Sequence, residues 1–119
     1  MRDLWGLMAE LATLPENREK LEPARSMVTP DMVEGLERTI DEVSDRFELP
    51  TEFVVPGGNR IAALLDVSRT VVRRAERESL DALHPASHAG VYLNRLSDLL
   101  WTLARWREGG SSTRVRDVG

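Results

Sequence analysis

The segment 53–77 constrains the possible fold of this chain more than any other part of the sequence. Its sequence is FVVPGGNRIAALLDVSRTVVRRAER. It joins a tight Pro-Gly-Gly turn to a helix whose second half carries four arginines and no lysine: Arg69, Arg73, Arg74 and Arg77. At 3.6 residues per turn, Arg69, Arg73 and Glu76 fall within one narrow arc, with Arg77 at its edge. The opposite arc is apolar and is predicted to face the core, with Ile61, Leu64, Leu65, Val71, Val72 and Ala75.

The arginine-rich side of this helix has two interpretations. A charged stripe opposite an apolar one is the usual outer face of a bundle helix, supported by local pairs of Arg and Glu. Alternatively, the stripe binds an anion, because guanidinium offers planar, paired donors that suit a phosphate. The spacing alone leaves both interpretations open.

Length and charge narrow the class of protein. A chain of 119 residues forms one domain, and a net charge of −4 with interspersed charges gives no reason to expect a nucleic-acid or membrane partner. The absence of cysteine excludes disulfides and thiolate chemistry. No apolar run approaches the roughly 20 residues of a membrane span. We therefore expect a soluble, cytoplasmic protein.

Apolar periodicity predicts four helices and no strands. Their predicted spans are 1–14, 30–47, 60–83 and 91–107. In the second helix Thr29 is the capping residue and Pro30 occupies the first helical position. The segment 48–58 is predicted to be a structured loop without strand partners. The segment 109–119 has the composition of a disordered tail. The predicted fold is an all-α, up-and-down helix bundle in a single domain, 1–108.

Two features of the last third of the chain bear on function. His84 and His88 have the spacing of a helical metal pair, but Pro85 lies between them and no third ligand is apparent, so no metal site is predicted. In the last helix a leucine-rich side is predicted to face the core, and the opposite, outward arc carries Asn94, Asp98, Trp101 and Arg105. An outward tryptophan suggests an interface or a pocket wall.

Three ordered blocks of the sequence resemble the signature of the PduO-type ATP:cob(I)alamin adenosyltransferases. They are Phe53-Val54-Val55-Pro56-Gly57-Gly58, then Ser68-Arg69-Thr70 leading into Arg73-Arg74-Ala75-Glu76-Arg77, and Tyr92-Leu93-Asn94-Arg95-Leu96-Ser97-Asp98. Weaker similarity extends the resemblance over nearly all of 1–108.

The resemblance implies a ferritin-like, five-helix bundle that assembles as a homotrimer, with active sites between subunits. It also implies a reaction in which the Co(I) centre of a reduced corrinoid attacks the 5′ carbon of ATP and expels triphosphate. The product is adenosylcobalamin, and Mg²⁺ helps to hold the triphosphate.

Roles for individual residues also come from the resemblance. Phe53 would match the aromatic residue that displaces the lower axial base of the corrinoid, which eases reduction to Co(I). Arg73, Arg74, Glu76, Arg77 and Asn94 would match the ATP-binding positions, with Arg73 as the phosphate clamp. Arg69 would pair with an aspartate of the adjacent subunit, and Asp98 would be a structural or pocket carboxylate.

The sequence departs from the family pattern at its start. Family members begin with a glycine- and threonine-rich segment that wraps the ATP phosphates, followed by a first helix. Met1 corresponds to a point inside the family's second helix, so we expect four of the five helices without that ATP-binding segment. The alternative to an adenosyltransferase is a non-catalytic corrinoid-binding or helical assembly module that has lost the ATP site.

Overall fold

The computed structural model describes residues 2–13, 15–48, 54–55, 58–109 and 113–114. These residues form four α-helices, α1 (Arg2–Ala12), α2 (Pro30–Ser44), α3 (Arg60–Ser79) and α4 (Ala89–Glu108), with short 3₁₀ helices at Pro15–Lys20 and Leu80–Ala82. The all-α helix bundle predicted from the sequence is confirmed. No described helix has the length and apolar character needed to cross a membrane.

Side chains fix the starts of the two middle helices. Thr29 Oγ1 accepts a hydrogen bond from the Met32 amide at 3.3 Å, and Pro30 occupies the first turn of α2. Asn59 Oδ1 accepts from the Ala62 amide at 2.9 Å and caps α3. The ends were predicted less well, since α2 stops three residues before Phe47 and α3 gives way to a 3₁₀ turn at Leu80.

Helix α4 lies at the centre of the bundle. It packs most extensively against α3, then against α2, and also contacts α1. Its residues Ala89, Tyr92 and Leu93 form a buried cluster with Leu7 of α1 and Val33 of α2. The prediction that Arg105 faces outward was wrong, since this residue is buried. The reason is that α4 has neighbouring helices on several sides.

The orientation of α3 about its axis differs from the prediction. Three residues of its expected core side are exposed, Ile61 by 50%, Leu64 by 58% and Val71 by 61%. By contrast Arg69, Arg73 and Glu76, on the predicted outer side, are half-buried. Two α3 residues explain the rotation: Ala62 is fully buried, and Asp66 forms an ion pair with Arg105 of α4. The ion pair places the Asp66 side of α3 against α4.

A small sheet was not predicted. Strand β1 (Val54–Val55) pairs antiparallel with β2 (Thr113–Arg114), in the register Val54 to Arg114 and Val55 to Thr113. The expectation that 48–58 has no strand partner was therefore wrong. Phe53 lies outside the described residues, and the disordered tail expected for 109–119 remains a prediction for the part of that segment outside β2.

Candidate functional site

An open groove lies where the last turns of α3 meet the first turns of α4. Its volume is about 430 Å³, and its lining combines charged, polar and apolar side chains: Glu76, Arg77, Leu80, Leu83, His84, Ser87, Gly90, Val91, Asn94 and Arg95. We call it the α3–α4 groove. Three of the residues assigned to ATP by resemblance, Glu76, Arg77 and Asn94, line it together although 17 and 18 positions separate the α3 pair from Asn94 in sequence.

Arg77 is the basic residue of α3 that lines the groove. It lies in the last turn of the helix, its side chain is exposed, and within the described part of the chain it forms no ion pair. Glu76 beside it is half-buried. An exposed guanidinium without an acidic partner retains all its donors for a bound anion.

On the α4 side, Asn94 and its neighbour Arg95 form a connected polar pair. Arg95 donates from Nη1 to Asn94 Oδ1 at 2.6 Å and from Nε to Oε1 of Glu37 on α2 at 3.3 Å. All three helices α2, α3 and α4 therefore contribute to the polar surface around the groove.

The remaining predicted site residues lie outside the lining of the groove. Arg73 and Arg69 are half-buried one and two turns before Arg77, and Asp98 is exposed one turn after Asn94. Arg74 points to solvent and forms an ion pair with Glu78 at 3.0 Å. The structure thus brings together three of the seven described candidates.

His84 lines the groove, but its neighbours do not form a metal site. Its Nδ1 accepts a hydrogen bond from the Ala86 amide at 3.0 Å. Among the described residues, no group of three or more His, Cys, Asp or Glu side chains is placed to hold a metal ion.

Comparison with known proteins decides the family. The model of the cobalamin adenosyltransferase family matches residues 1–107. The chain belongs to this family. The family indicated by the resemblance is thereby confirmed.

Curated relatives of the chain are named corrinoid adenosyltransferases. A corrinoid adenosyltransferase of Mycobacterium tuberculosis is 38% identical over an alignment of 125 positions, which covers 93% of this chain and 64% of the relative. The corrinoid adenosyltransferase PduO of Salmonella typhimurium is 34% identical over 107 residues, covering 87% of this chain and 31% of the relative. The chain therefore spans less than two thirds of the length of these relatives.

A solved structure supports the fold. A variant of a PduO-type ATP:corrinoid adenosyltransferase from Lactobacillus reuteri, complexed with cobalamin and ATP, superposes with a TM-score of 0.65 at 20% identity. The match covers 98% of this chain and 78% of that one.

In this family member, a buried glutamate supports the loop beside the groove. Glu10 of α1 accepts hydrogen bonds from the Val28 amide at 2.8 Å, from Arg18 Nη1 at 3.2 Å and from the Ser87 hydroxyl. Ser87 itself lines the groove. Sequence reasoning missed this role, because a single glutamate in an amphipathic helix has the same pattern as a surface charge.

The opposite end of the α3–α4 pair also carries charged side chains, but these side chains are largely buried within the fold. Arg105 Nη2 donates to Asp66 Oδ2 at 2.6 Å and to Glu108 Oε1 at 3.0 Å, and its side chain is only 2% exposed. The Gly58 amide donates to Glu108 Oε1 at 3.2 Å, and the guanidinium lies 5.5 Å from the centroid of the Trp101 ring. We call Asp66, Arg105 and Glu108 the buried charge cluster.

Proposed function

We propose that this protein transfers the 5′-deoxyadenosyl group of ATP to the cobalt of a reduced corrinoid. The Co(I) electron pair attacks the 5′ carbon, the cobalt–carbon bond forms, and the carbon–oxygen bond breaks with its electrons leaving on triphosphate. The observation that carries this proposal is the α3–α4 groove, which collects Glu76, Arg77 and Asn94 from two helices.

The chemistry of the groove residues supports the roles that the resemblance implies for them. Arg77 offers a planar, exposed guanidinium, which suits the phosphates of ATP and the negative charge that the leaving triphosphate gains in the transition state. Asn94 supplies a neutral polar contact that orients the nucleotide. Arg73, half-buried one turn before Arg77, is proposed as a second clamp, and Arg74 as an outer contact with ATP.

Magnesium fits this arrangement as a companion of the nucleotide. Mg²⁺ is usually bound through substrate phosphates, water and one or two carboxylates, and does not require a cage built by the protein alone. Within the described part of the chain, Glu76 is the carboxylate that lines the groove. Bound there, the ion would neutralise part of the triphosphate charge, while Arg77 fixes the position of the phosphates.

The corrinoid side of the reaction is assigned to Phe53 by its match to the family signature. Phe53 directly precedes β1, whose pairing with β2 connects the segment after α2 to the segment after α4. The proposed role is displacement of the lower axial base, which makes reduction of the cobalt easier.

We propose a homotrimer, as the resemblance implies, and the exposed side of α3 supports a subunit interface. Ile61, Leu64, Val67 and Val71 recur at helical spacing and are each at least half exposed, so α3 presents a continuous apolar stripe that a neighbouring subunit would cover. Arg69 would then pair with an aspartate of that subunit. Sedimentation analysis tests the assembly: Val67→Asp should dissociate the trimer, and trimers that persist would contradict the use of this stripe.

The cell compartment follows from the substrates. Cob(I)alamin requires reducing conditions and ATP is made inside the cell, so we propose that the protein acts in the cytoplasm. The absence of cysteine in the chain agrees with this location.

Turnover with ATP and chemically reduced cobalamin tests the proposed function, with formation of adenosylcobalamin followed by absorbance. We expect the wild-type protein to form the product and Arg77→Ala to raise the KM for ATP by roughly 10-fold or more. The matched control is Arg38→Ala, an exposed arginine of α2 that does not line the groove, and this variant should behave as wild type. Corrinoid binding without any product would instead favour a non-catalytic binding module.

A further inference from the structure

The side-chain amide of Asn94 has a defined orientation in the groove. Its Oδ1 accepts a hydrogen bond from Arg95 Nη1 at 2.6 Å. A guanidinium has donors and no acceptor, so the amide can face it only with its oxygen. The two N–H donors of Nδ2 must therefore point away from Arg95.

Arg95 is itself held in place from a different helix. Its Nε donates to Glu37 Oε1 of α2 at 3.3 Å, and the side chains of Arg95 and Glu37 are 37% and 49% exposed. A partly exposed ion pair of this kind contributes little to stability. Its effect on the direction of the Arg95 guanidinium is separate from that contribution.

We infer that Glu37 and Arg95 are positioning residues, which orient Asn94 so that it donates hydrogen bonds to a bound nucleotide. The chain of contacts runs from Glu37 on α2 through Arg95 to Asn94, which lines the groove with Arg77. No described residue accepts a hydrogen bond from Asn94 Nδ2, so these donors are available for an acceptor atom of the ligand, such as a ribose or phosphate oxygen. This inference rests on the proposed nucleotide site.

Calorimetric titration with Mg-ATP tests the inference with a series of variants. Asn94→Asp still accepts from Arg95 but replaces the donor with a negative oxygen, and we expect its affinity to fall by at least 10-fold. Glu37→Leu and Arg95→Leu should each weaken binding by about 3- to 10-fold, because the Asn94 amide is then free to flip.

Two variants of acidic residues on α2 serve as controls. Glu37→Gln keeps an amide oxygen for Arg95 and should restore most of the affinity lost in Glu37→Leu. Glu34→Leu removes an exposed acid from the same helix and should bind as wild type. In turnover assays the positioning role predicts a raised KM for ATP in Glu37→Leu with unchanged thermal unfolding, which a merely structural role would not produce.

The orientation of the amide can be tested without any nucleotide. The chain has three asparagines and no glutamine, so its side-chain NH₂ signals in a ¹⁵N–¹H spectrum are few, and Asn94→Asp identifies the pair from Asn94. We expect Glu37→Leu to shift this pair toward the values of a free amide. An unchanged pair, or Glu37→Leu binding Mg-ATP as tightly as wild type, would overturn the positioning role. Failure of the wild-type protein to bind Mg-ATP, with the expected shift present, would contradict the proposed function instead.

Discussion

The two ends of the α3–α4 pair use the same residue types in opposite ways. At one end Arg105 is enclosed by Asp66 and Glu108, with its side chain only 2% exposed. At the other end Arg77 is exposed in the α3–α4 groove and forms no ion pair with any described residue. The comparison indicates that an arginine satisfied within the fold stabilises it, while one left open beside a cavity is available to a ligand.

Desolvation explains the difference. A guanidinium removed from water must be compensated by acidic partners, and the buried charge cluster supplies two carboxylates for it. An arginine in an open groove keeps its water until an anion replaces it, so it contributes little to folding and much to binding.

The largest expected effect comes from breaking the buried charge cluster. Arg105→Met removes the cation from between two carboxylates that are 13% and 0% exposed, and we expect the free energy of unfolding to fall by about 3–5 kcal/mol. Denaturant unfolding followed by circular dichroism measures this. Arg38→Met, at an exposed position of α2, is the control and should unfold as wild type. A loss under about 1 kcal/mol for Arg105→Met would show that the cluster contributes little to stability.

A second prediction extends the comparison to a partly buried polar contact between α1 and α4. Tyr92, the single tyrosine of the chain, donates from its hydroxyl to Asp3 Oδ2 at 3.2 Å. Burial, and then the neighbouring charge of Asp3, raise the pKa of Tyr92 from 10.0 to about 12. A raised pKa in the folded state means that the stabilisation is complete below pH 10 and is lost between pH 10 and about 12.

Over that pH interval we expect the free energy of unfolding to fall by up to roughly 3 kcal/mol as Tyr92 loses its proton. Absorbance of the tyrosinate gives the pKa directly, and Asp3→Asn should lower it. Tyr92→Phe is the control for the stability measurement, because its unfolding should lose this part of the pH dependence. An apparent pKa near 10 in the folded protein would contradict the burial of this contact.

The smallest expected effect concerns an exposed ion pair, which joins an arginine to a carboxylate as the buried charge cluster does. Arg74 and Glu78 are 74% and 66% exposed and lie one turn apart on α3. We expect Glu78→Gln to lower the free energy of unfolding by only about 0.3–0.5 kcal/mol, and by less at high salt. A loss comparable with that of Arg105→Met would mean that burial is not the source of the difference.

The sequence predicted the bundle well because helical periodicity and capping residues are local signals. Thr29, Pro30 and the apolar spacing of α2 placed that helix start correctly, and the three signature blocks indicated the family. The core-facing side of α3 was predicted only in part, since Val72 packs against the core while Ile61, Leu64 and Val71 are exposed. Nothing local distinguishes Asp66, which forms an ion pair with the buried Arg105, from Asp98, which is exposed.

Part of the site was likewise beyond local reasoning. Arg77 and Asn94 were proposed by resemblance, and their position on one groove depends on how α3 and α4 pack. Glu37 and Glu10 gave no signal, since their contacts with Arg95 and Ser87 cross between elements 58 and 77 residues apart in sequence.

The most direct test of the account measures Mg-ATP affinity for Arg77→Ala and Arg105→Met side by side, at a temperature where both variants are fully folded. We predict that Arg77→Ala weakens binding by about 10- to 150-fold, the loss of a charge-assisted hydrogen bond. Arg105→Met, at the distant end of the helix pair, should stay within about twofold of wild type. Equal losses in the two variants, or full affinity in Arg77→Ala, would contradict the assignment of the nucleotide to the α3–α4 groove.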